Sequence, residues 1–173
     1  MAEDLVEYER LAREGRGVRG VMRWRADHPR SAVWAALTQS DKLAQWLAPG
    51  AIDARLGGAV TLAFEHSGVV IESCVAAVEP ERMLQYSWSG PGQPYRPVRW
   101  TLSHDDPLIV TLSILLPEEE DPARGLAGWS AHLEMLAVSL EGVAPRFPFE
   151  HFRARRARFE QELLALSPVG LDA

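Results

Sequence analysis

Residues 122–142 read PARGLAGWSAHLEMLAVSLEG. Leu126, Trp129, Leu133, Leu136 and Leu140 stand at offsets of three, seven, ten and fourteen, one apolar stripe along a helix that Gly142 ends. A helix with a single apolar stripe needs a surface to lie on, and the preceding chain supplies one. Gly57-Gly58 leads into Val60, Leu62 and Phe64, His66-Ser67-Gly68 is a turn, and a strand follows from Val69 to Val78. Glu79-Pro80-Glu81 turns the chain into Arg82 to Trp88, and the loop Ser89 to Pro94 precedes the alternation of Val98, Trp100 and Leu102. His104-Asp105-Asp106-Pro107 then turns into Leu108 to Leu115. Apolar runs separated by turn signals at this density predict an antiparallel meander.

Outward from that centre, Val18, Gly20, Met22 and Trp24 alternate with Arg19, Val21, Arg23 and Arg25, the period of a half-exposed strand. Asp27-His28-Pro29-Arg30-Ser31 opens a helix at its proline. Val33, Trp34 and Leu37, then Leu43, Trp46 and Leu47 after a break at Thr38 to Ser40, predict two short helices that Pro49-Gly50 stops. Residues 1–16 read as an amphipathic helix, with Leu5, Tyr8 and Leu11 at helical spacing among charged neighbours. A last helix is expected from Phe149 to Leu166, with Phe149, Phe152, Phe159, Leu163 and Leu166 on one side. The fold class that follows is α+β, a curved antiparallel sheet of about six to seven strands around a long C-terminal helix. The division expected is an N-terminal helical extension over 1–16, a core domain over 17–143 and a C-terminal helical extension over 144–173. A curved sheet cannot lie flat on a helix along its whole length, so a cavity between the two is expected.

With 173 residues, one domain is expected, burying about two-thirds of its unfolded surface. The net charge of −6 repels a phosphate backbone, so no nucleic-acid partner is expected. Cys74 is the only cysteine, which excludes an intrachain disulfide and a thiolate metal cluster. Met1-Ala2-Glu3-Asp4 is acidic where a signal peptide would be basic, and no apolar run reaches the roughly 18 residues of a membrane span. Cytoplasmic location without membrane insertion is the expectation.

The run His28-Pro29-Arg30-Ser31-Ala32-Val33-Trp34-Ala35-Ala36-Leu37-Thr38, with Leu43 and Trp46 after it, resembles the opening of the family of homologues of the heat-shock-protein-90 ATPase activator. Gly57-Gly58 stands where that family turns into its sheet. Val78-Glu79-Pro80-Glu81-Arg82, Leu84 and Tyr86-Ser87-Trp88 are similar to its central strand-turn-strand, and Gly128, Trp129, Leu133 and Leu136 to its closing helix. The resemblance spans roughly residues 18 to 142. It implies a helix-grip fold of the START-like (SRPBCC) superfamily, shared with the birch-pollen allergen. Relatives include co-chaperone domains, lipid carriers, hormone receptors and aromatase/cyclase enzymes. The acidic loop Pro117 to Pro122 and the terminal segments depart from the family pattern.

The candidate ligand-binding residues are Trp46, Phe64, Tyr86, Trp88, Trp100, Trp129 and His132. Six tryptophans offer flat faces to an apolar ligand, and they equally serve as core. Alternation sets Val98, Trp100 and Leu102 on one face, and Leu84, Tyr86 and Trp88 on another, both expected to point inward. His132 is one turn after Trp129, beside the stripe, and could hydrogen-bond a ligand or act as an acid/base. Glu72 is the carboxylate inside the long strand, expected on the solvent face and catalytic only if turned inward. Cys74 reads as a buried, inert thiol. The five histidines, His28, His66, His104, His132 and His151, show no metal-ligand spacing, so neither metal nor cofactor is expected. Arg153, Arg155, Arg156 and Arg158 read as a solvated face or a docking strip, within one subunit or across a homodimer built by the terminal helices. The reading is a domain that binds a small hydrophobic, aromatic or lipid-like ligand without chemistry of its own. A cyclase/aromatase- or hydrolase-like enzyme acting through His132 or Glu72, and a co-chaperone-like ATPase stimulator using the charged segments, are the alternatives.

Overall fold

The alternation at the start of the chain does produce a strand, and it decides how the sheet closes. In the computed structural model, which describes residues 6–166, β2 (Gly17–Ala26) buries Val18, Gly20, Met22, Trp24 and Ala26. It pairs antiparallel along its whole length with β8 (Leu108–Pro117), from Gly17↔Pro117 to Ala26↔Leu108. Between them the chain forms α1 (Arg30–Thr38), α2 (Ser40–Trp46), β3 (Gly50–Ile52), β4 (Ala59–Ala63), β5 (Val70–Glu79), β6 (Met83–Ser87) and β7 (Pro97–Leu102). With β1 (Glu7–Glu14) the sheet has eight strands in the order β1-β2-β8-β7-β6-β5-β4-β3, every neighbouring pair antiparallel. The helix pair carries the chain from β2 to the far edge, and the meander walks back.

Two strands exceed the sequence expectation. The described part of 1–16 is strand β1, not helix. A bulge between Tyr8 and Arg10 pairs Tyr8 with Met22 and Leu11 with Gly20, so a spacing of three, helical in a regular segment, arises in a bulged strand. Leu5 lies outside the described residues. The short edge strand β3 follows Pro49-Gly50, too brief for any period to show.

α3 (Pro122–Leu140) lies in the concave face with Leu126, Trp129, Leu133 and Leu136 buried. Its start is fixed by Pro122 at the first helical position and by the Asp121 carboxylate, which accepts the Arg124 N–H at 3.2 Å. Gly20 lets the helix come close: a Cβ there would stand 2.5 Å from Leu126 Cδ2.

α4 (Phe149–Ala165) packs on α3 in the same chain and buries Phe159 and Arg155. Glu134 accepts from Arg155 at 3.0 Å and faces His151 at 2.9 Å, while Arg156 reaches Asp121 at 2.8 Å. Two of the four arginines of the strip, Arg155 and Arg156, therefore dock α4 onto α3 and its cap within one subunit, while Arg153 and Arg158 are exposed. Phe149, expected on the packed side, is the first residue of the helix and is instead exposed.

The two glycine types of the core give opposite expectations. A Cβ at Gly58 would sit 2.0 Å from the Asp53 carbonyl oxygen, in a loop fixed by Gly58 N–H to Arg55 O and Val75 N–H to Gly58 O, both 2.8 Å. Gly128, inside α3, has open space. Urea denaturation should show Gly58→Ala losing about 2 kcal/mol. The same measurement should show Gly128→Ala gaining about 0.5–1 kcal/mol.

Candidate functional site

The sheet's concave face and α3 meet in a connected run of aromatic rings. Trp46, the last residue of α2, sets its ring edge-on to Trp100 of β7, centroids 5.7 Å apart at 87°. Trp100 meets Trp129 of α3 at 6.1 Å, Trp129 meets Trp88 at 4.6 Å, and Trp88 meets Phe64 at 5.8 Å. His132 stands among Phe64 at 6.2 Å, Trp129 at 6.4 Å and Phe147 at 6.0 Å. Phe147 in turn touches Phe149 and Phe152 at 4.8 and 5.5 Å. The run thus goes from deep core to surface.

Burial divides the sequence candidates into two groups. Trp46, Tyr86 and Trp100 are closed off, each 1% exposed or less, and their polar atoms are satisfied internally. Trp46 Nε1 donates to Ala36 O at 2.8 Å and Trp100 Nε1 to the Tyr86 hydroxyl at 3.4 Å, a long contact. Burial pushes the Tyr86 hydroxyl up to about 12, against the opposing effect of the Trp100 N–H. Phe64, Trp88 and His132 are half-buried at the rim, with Trp129 just beneath. Where a cavity was expected, the rings of Trp46, Trp100, Trp129 and Trp88 pack edge to face on one another. Two surface clefts, of about 660 Å³ beside α1, α2 and the end of α3 and about 390 Å³ beside Asp27–Arg30 and Asp105–Leu108, lie elsewhere.

Each rim residue is held by its own local structure. Phe64 closes a hairpin in which its N–H bonds Val69 O at 2.8 Å and its carbonyl accepts from Gly68 at 2.9 Å. Trp88 leads a loop pinned by buried serines: Ser87 and Ser89 hydroxyls are 2.7 Å apart, and Ser87 Oγ accepts from Arg96 N–H at 2.8 Å. Ser73 Oγ donates to Ser87 O at 2.7 Å. His132 is fixed by the carbonyl of Trp46, 2.9 Å from Nδ1. A carbonyl only accepts, so Nδ1 carries the proton and Nε2 keeps its lone pair. Burial pushes the imidazole below its ordinary value of 6.5, partly offset by the bond to Trp46 O, which favours the charged form. His132 is therefore neutral at pH 7.

Phe147, which sequence reasoning passed over, is the ring nearest the surface side of His132. Its signal was the run Pro145-Arg146-Phe147-Pro148, an aromatic held between prolines in a linker.

Other candidates are separated from this place. Glu72 points outward and is exposed, as expected of the solvent face. Cys74, expected buried, is exposed: β5 buries Ile71 and Val75 and half-buries Ser73, so the even positions face solvent. No group of three His, Cys, Asp or Glu side chains suited to a metal occurs among the described residues. No helix among them is long and apolar enough to cross a membrane.

The family model of activator of Hsp90 ATPase homolog 1-like proteins matches residues 27–141. The chain belongs to this family. Activator-homologue-like character thus covers the turn before α1 through the end of α3, while Phe147 and α4 lie outside the matched segment. A conserved protein of unknown function from Enterococcus faecalis superposes with a TM-score of 0.76 over 92% of each chain at 18% identity. CalU16 from Micromonospora echinospora does so with 0.72 over 90% of this chain and 96% of its own at 24% identity. Both speak for the helix-grip fold alone. DynU16, from the dynemicin biosynthetic locus, shares 27% identity at a TM-score of 0.64, over 78% of this chain and 51% of its own. No curated protein matches the chain.

The depressed value of His132 has a consequence for stability. Between the folded and the ordinary value the unfolded chain binds more protons than the folded one. The contribution of His132 is thus complete above about 6.5 and is lost as the pH falls. Denaturation at about pH 7.5 and about pH 5 should show a loss that shrinks in His132→Asn, whose Nδ2 can still donate to the Trp46 carbonyl. Equal losses in both proteins would show that burial does not hold this imidazole neutral.

Proposed function

We propose that this activator-homologue-like domain binds a small, flat, apolar or aromatic molecule at the rim of the grip, and carries out no chemistry on it. The observation that carries the proposal is the aromatic run that ends in Phe147. Phe147 sits on a linker, residues 143–148, whose own anchoring is sparse. None of its backbone N–H groups is hydrogen-bonded to a described residue, and among the described residues its carbonyls at Phe147 and Pro148 accept from Phe149 and Phe152. Both flanking helices are firmly tied, so the ring reaches His132 from a strap slung between two anchors. An aromatic ligand entering beside Trp88, Trp129, Phe64 and His132 would take the place of that ring, while Trp46, Tyr86 and Trp100 form the floor. The likeness to DynU16, from a biosynthetic locus, is compatible with a small-molecule ligand.

An enzymatic reading has one observation in its favour, the neutral His132 with an unprotonated Nε2. A base alone does not make an acid–base pair, and Glu72 lies on the other face of the sheet. The ATPase-stimulating reading draws on charged segments that the fold largely uses internally. Arg13 pairs with Glu118, Arg96 with Glu120, Arg156 with Asp121 and Arg158 with Glu162.

Native mass spectrometry after challenge with lipids, flavonoids and polyketides should show a stoichiometric apolar adduct. Trp88→Ala and Trp129→Ala should each weaken it about tenfold or more, since a stacked ring is lost. Phe147→Ala should tighten it about tenfold by removing the competing ring. An apo mass across the whole panel, for wild type and Phe147→Ala alike, would overturn the binding proposal. Weaker binding by Phe147→Ala would instead make Phe147 a wall of the site.

A further inference from the structure

The polar chemistry of the rim goes further than an apolar ligand requires. His132 Nδ1 is occupied by the Trp46 carbonyl at 2.9 Å, and the rigid ring directs Nε2 away from that carbonyl. Nε2 makes no hydrogen bond to any described residue, and it is not among the described buried polar atoms that lack a partner, so it reaches solvent. The rings of Phe64, Trp129 and Phe147 surround the imidazole, all within 6.4 Å and all in edge-to-face relation to it. A lone-pair acceptor in an aromatic surround is a poor neighbour for a purely apolar molecule, which would strip its water and return nothing. It is equally poor for a carboxylate, which would oppose the lone pair with its own. It suits a ligand that brings an O–H.

Resting on the binding site proposed above, we infer that the ligand is an aromatic ring carrying a hydroxyl group, a phenol or a naphthol, whose O–H donates to His132 Nε2 while the ring replaces Phe147. The tautomer makes the site selective in direction. The Trp46 carbonyl forces Nδ1 to be the donor, so the neutral imidazole has only an acceptor left to offer. The position of His132 in its family's closing helix does not supply this direction. It comes from Trp46 ending α2 with a carbonyl that has no helical partner.

The test uses three probes that share one ring system: naphthalene, 2-naphthol and 2-methoxynaphthalene, titrated by tryptophan fluorescence against the full chain. In the wild type, 2-naphthol should bind about tenfold tighter than its methyl ether, the worth of one hydrogen bond in a partly dry site. In His132→Phe that ratio should fall to about one, because any change in ring affinity caused by the substitution is common to both probes and drops out of the ratio. Because the same pair of probes is compared in both proteins, their difference in size and hydrophobicity cancels. A second readout needs no variant. In a long-range ¹H–¹⁵N spectrum of the wild type, the Nε2 resonance of His132 should move on adding 2-naphthol and stay in place on adding the ether. A ratio near one in the wild type, a ratio kept in His132→Phe, or an Nε2 signal indifferent to 2-naphthol would each overturn the hydroxyl inference and leave ring binding standing. Failure of all three probes to bind would overturn it together with the site.

Discussion

Trp46 joins the three parts of the domain, and the rest of the arrangement depends on it. Its indole N–H ties α2 back to α1 at Ala36, its ring stands edge-on to Trp100 in the sheet, and its carbonyl receives His132 from α3. That carbonyl is free because Trp46 ends α2, where no further turn supplies an N–H. A helix end that would otherwise need water is satisfied by the imidazole of the gripping helix. The same bond orients the histidine whose other nitrogen faces the rim. Structural requirement and site chemistry are two consequences of one unsatisfied backbone group.

Much of this was legible in the sequence because it is written in periods. The stripe of α3 and the alternation in β2, β6 and β7 correspond to buried rows, and Trp100 and Tyr86 point inward as their neighbours Val98, Leu102 and Leu84 require. What periodicity cannot show is an irregularity that imitates another period. The bulge at Tyr8/Arg10 made a strand look helical, and β3 was too short to have a period at all. The site was legible as a set of residue types but not as a depth. Sequence grouped Trp46 and Trp100 with Trp88 and His132, whereas packing puts the first pair in the sealed core and the second at the surface. Phe147 escaped because its importance comes from where a linker without secondary structure happens to pass. Cys74 was misjudged although Glu72, two residues before it in the same strand, was expected in solvent: alternation puts both on the face that β5 turns to water.

Charge has a similar lesson. Acidic and basic runs in a sequence suggest surfaces for partners, but in the fold they face each other. The Glu118–Glu120 turn and Asp121 meet Arg13, Arg96 and Arg156, and the buried Arg155 finds Glu134. Exposed members of this set contribute little each. Arg155 is different: it is buried, and its ion pair with Glu134 at 3.0 Å is shielded from water, so losing that carboxylate costs more than losing an exposed one. The seam therefore locks α4 onto α3, and through α4 it fixes one end of the strap that carries Phe147.

That coupling bears on how a closed site can still be a binding site. The ring of Phe147 lies against His132, on the rim where the ligand is proposed to enter. A ligand that takes the place of Phe147, as proposed, would bind only the fraction of molecules in which the ring has left, and its apparent affinity would fall by that fraction. That fraction would be set by the linker rather than by the domain, since opening would break ring contacts but no backbone hydrogen bond donated by residues 143–148 to a described residue. The core beneath, with Trp46, Tyr86 and Trp100 sealed, has no need to move. On the proposed reading, such an arrangement would separate two demands on an aromatic core: the sealed half supplies stability, and the rim half, where Phe147 is carried by a linker, would serve recognition.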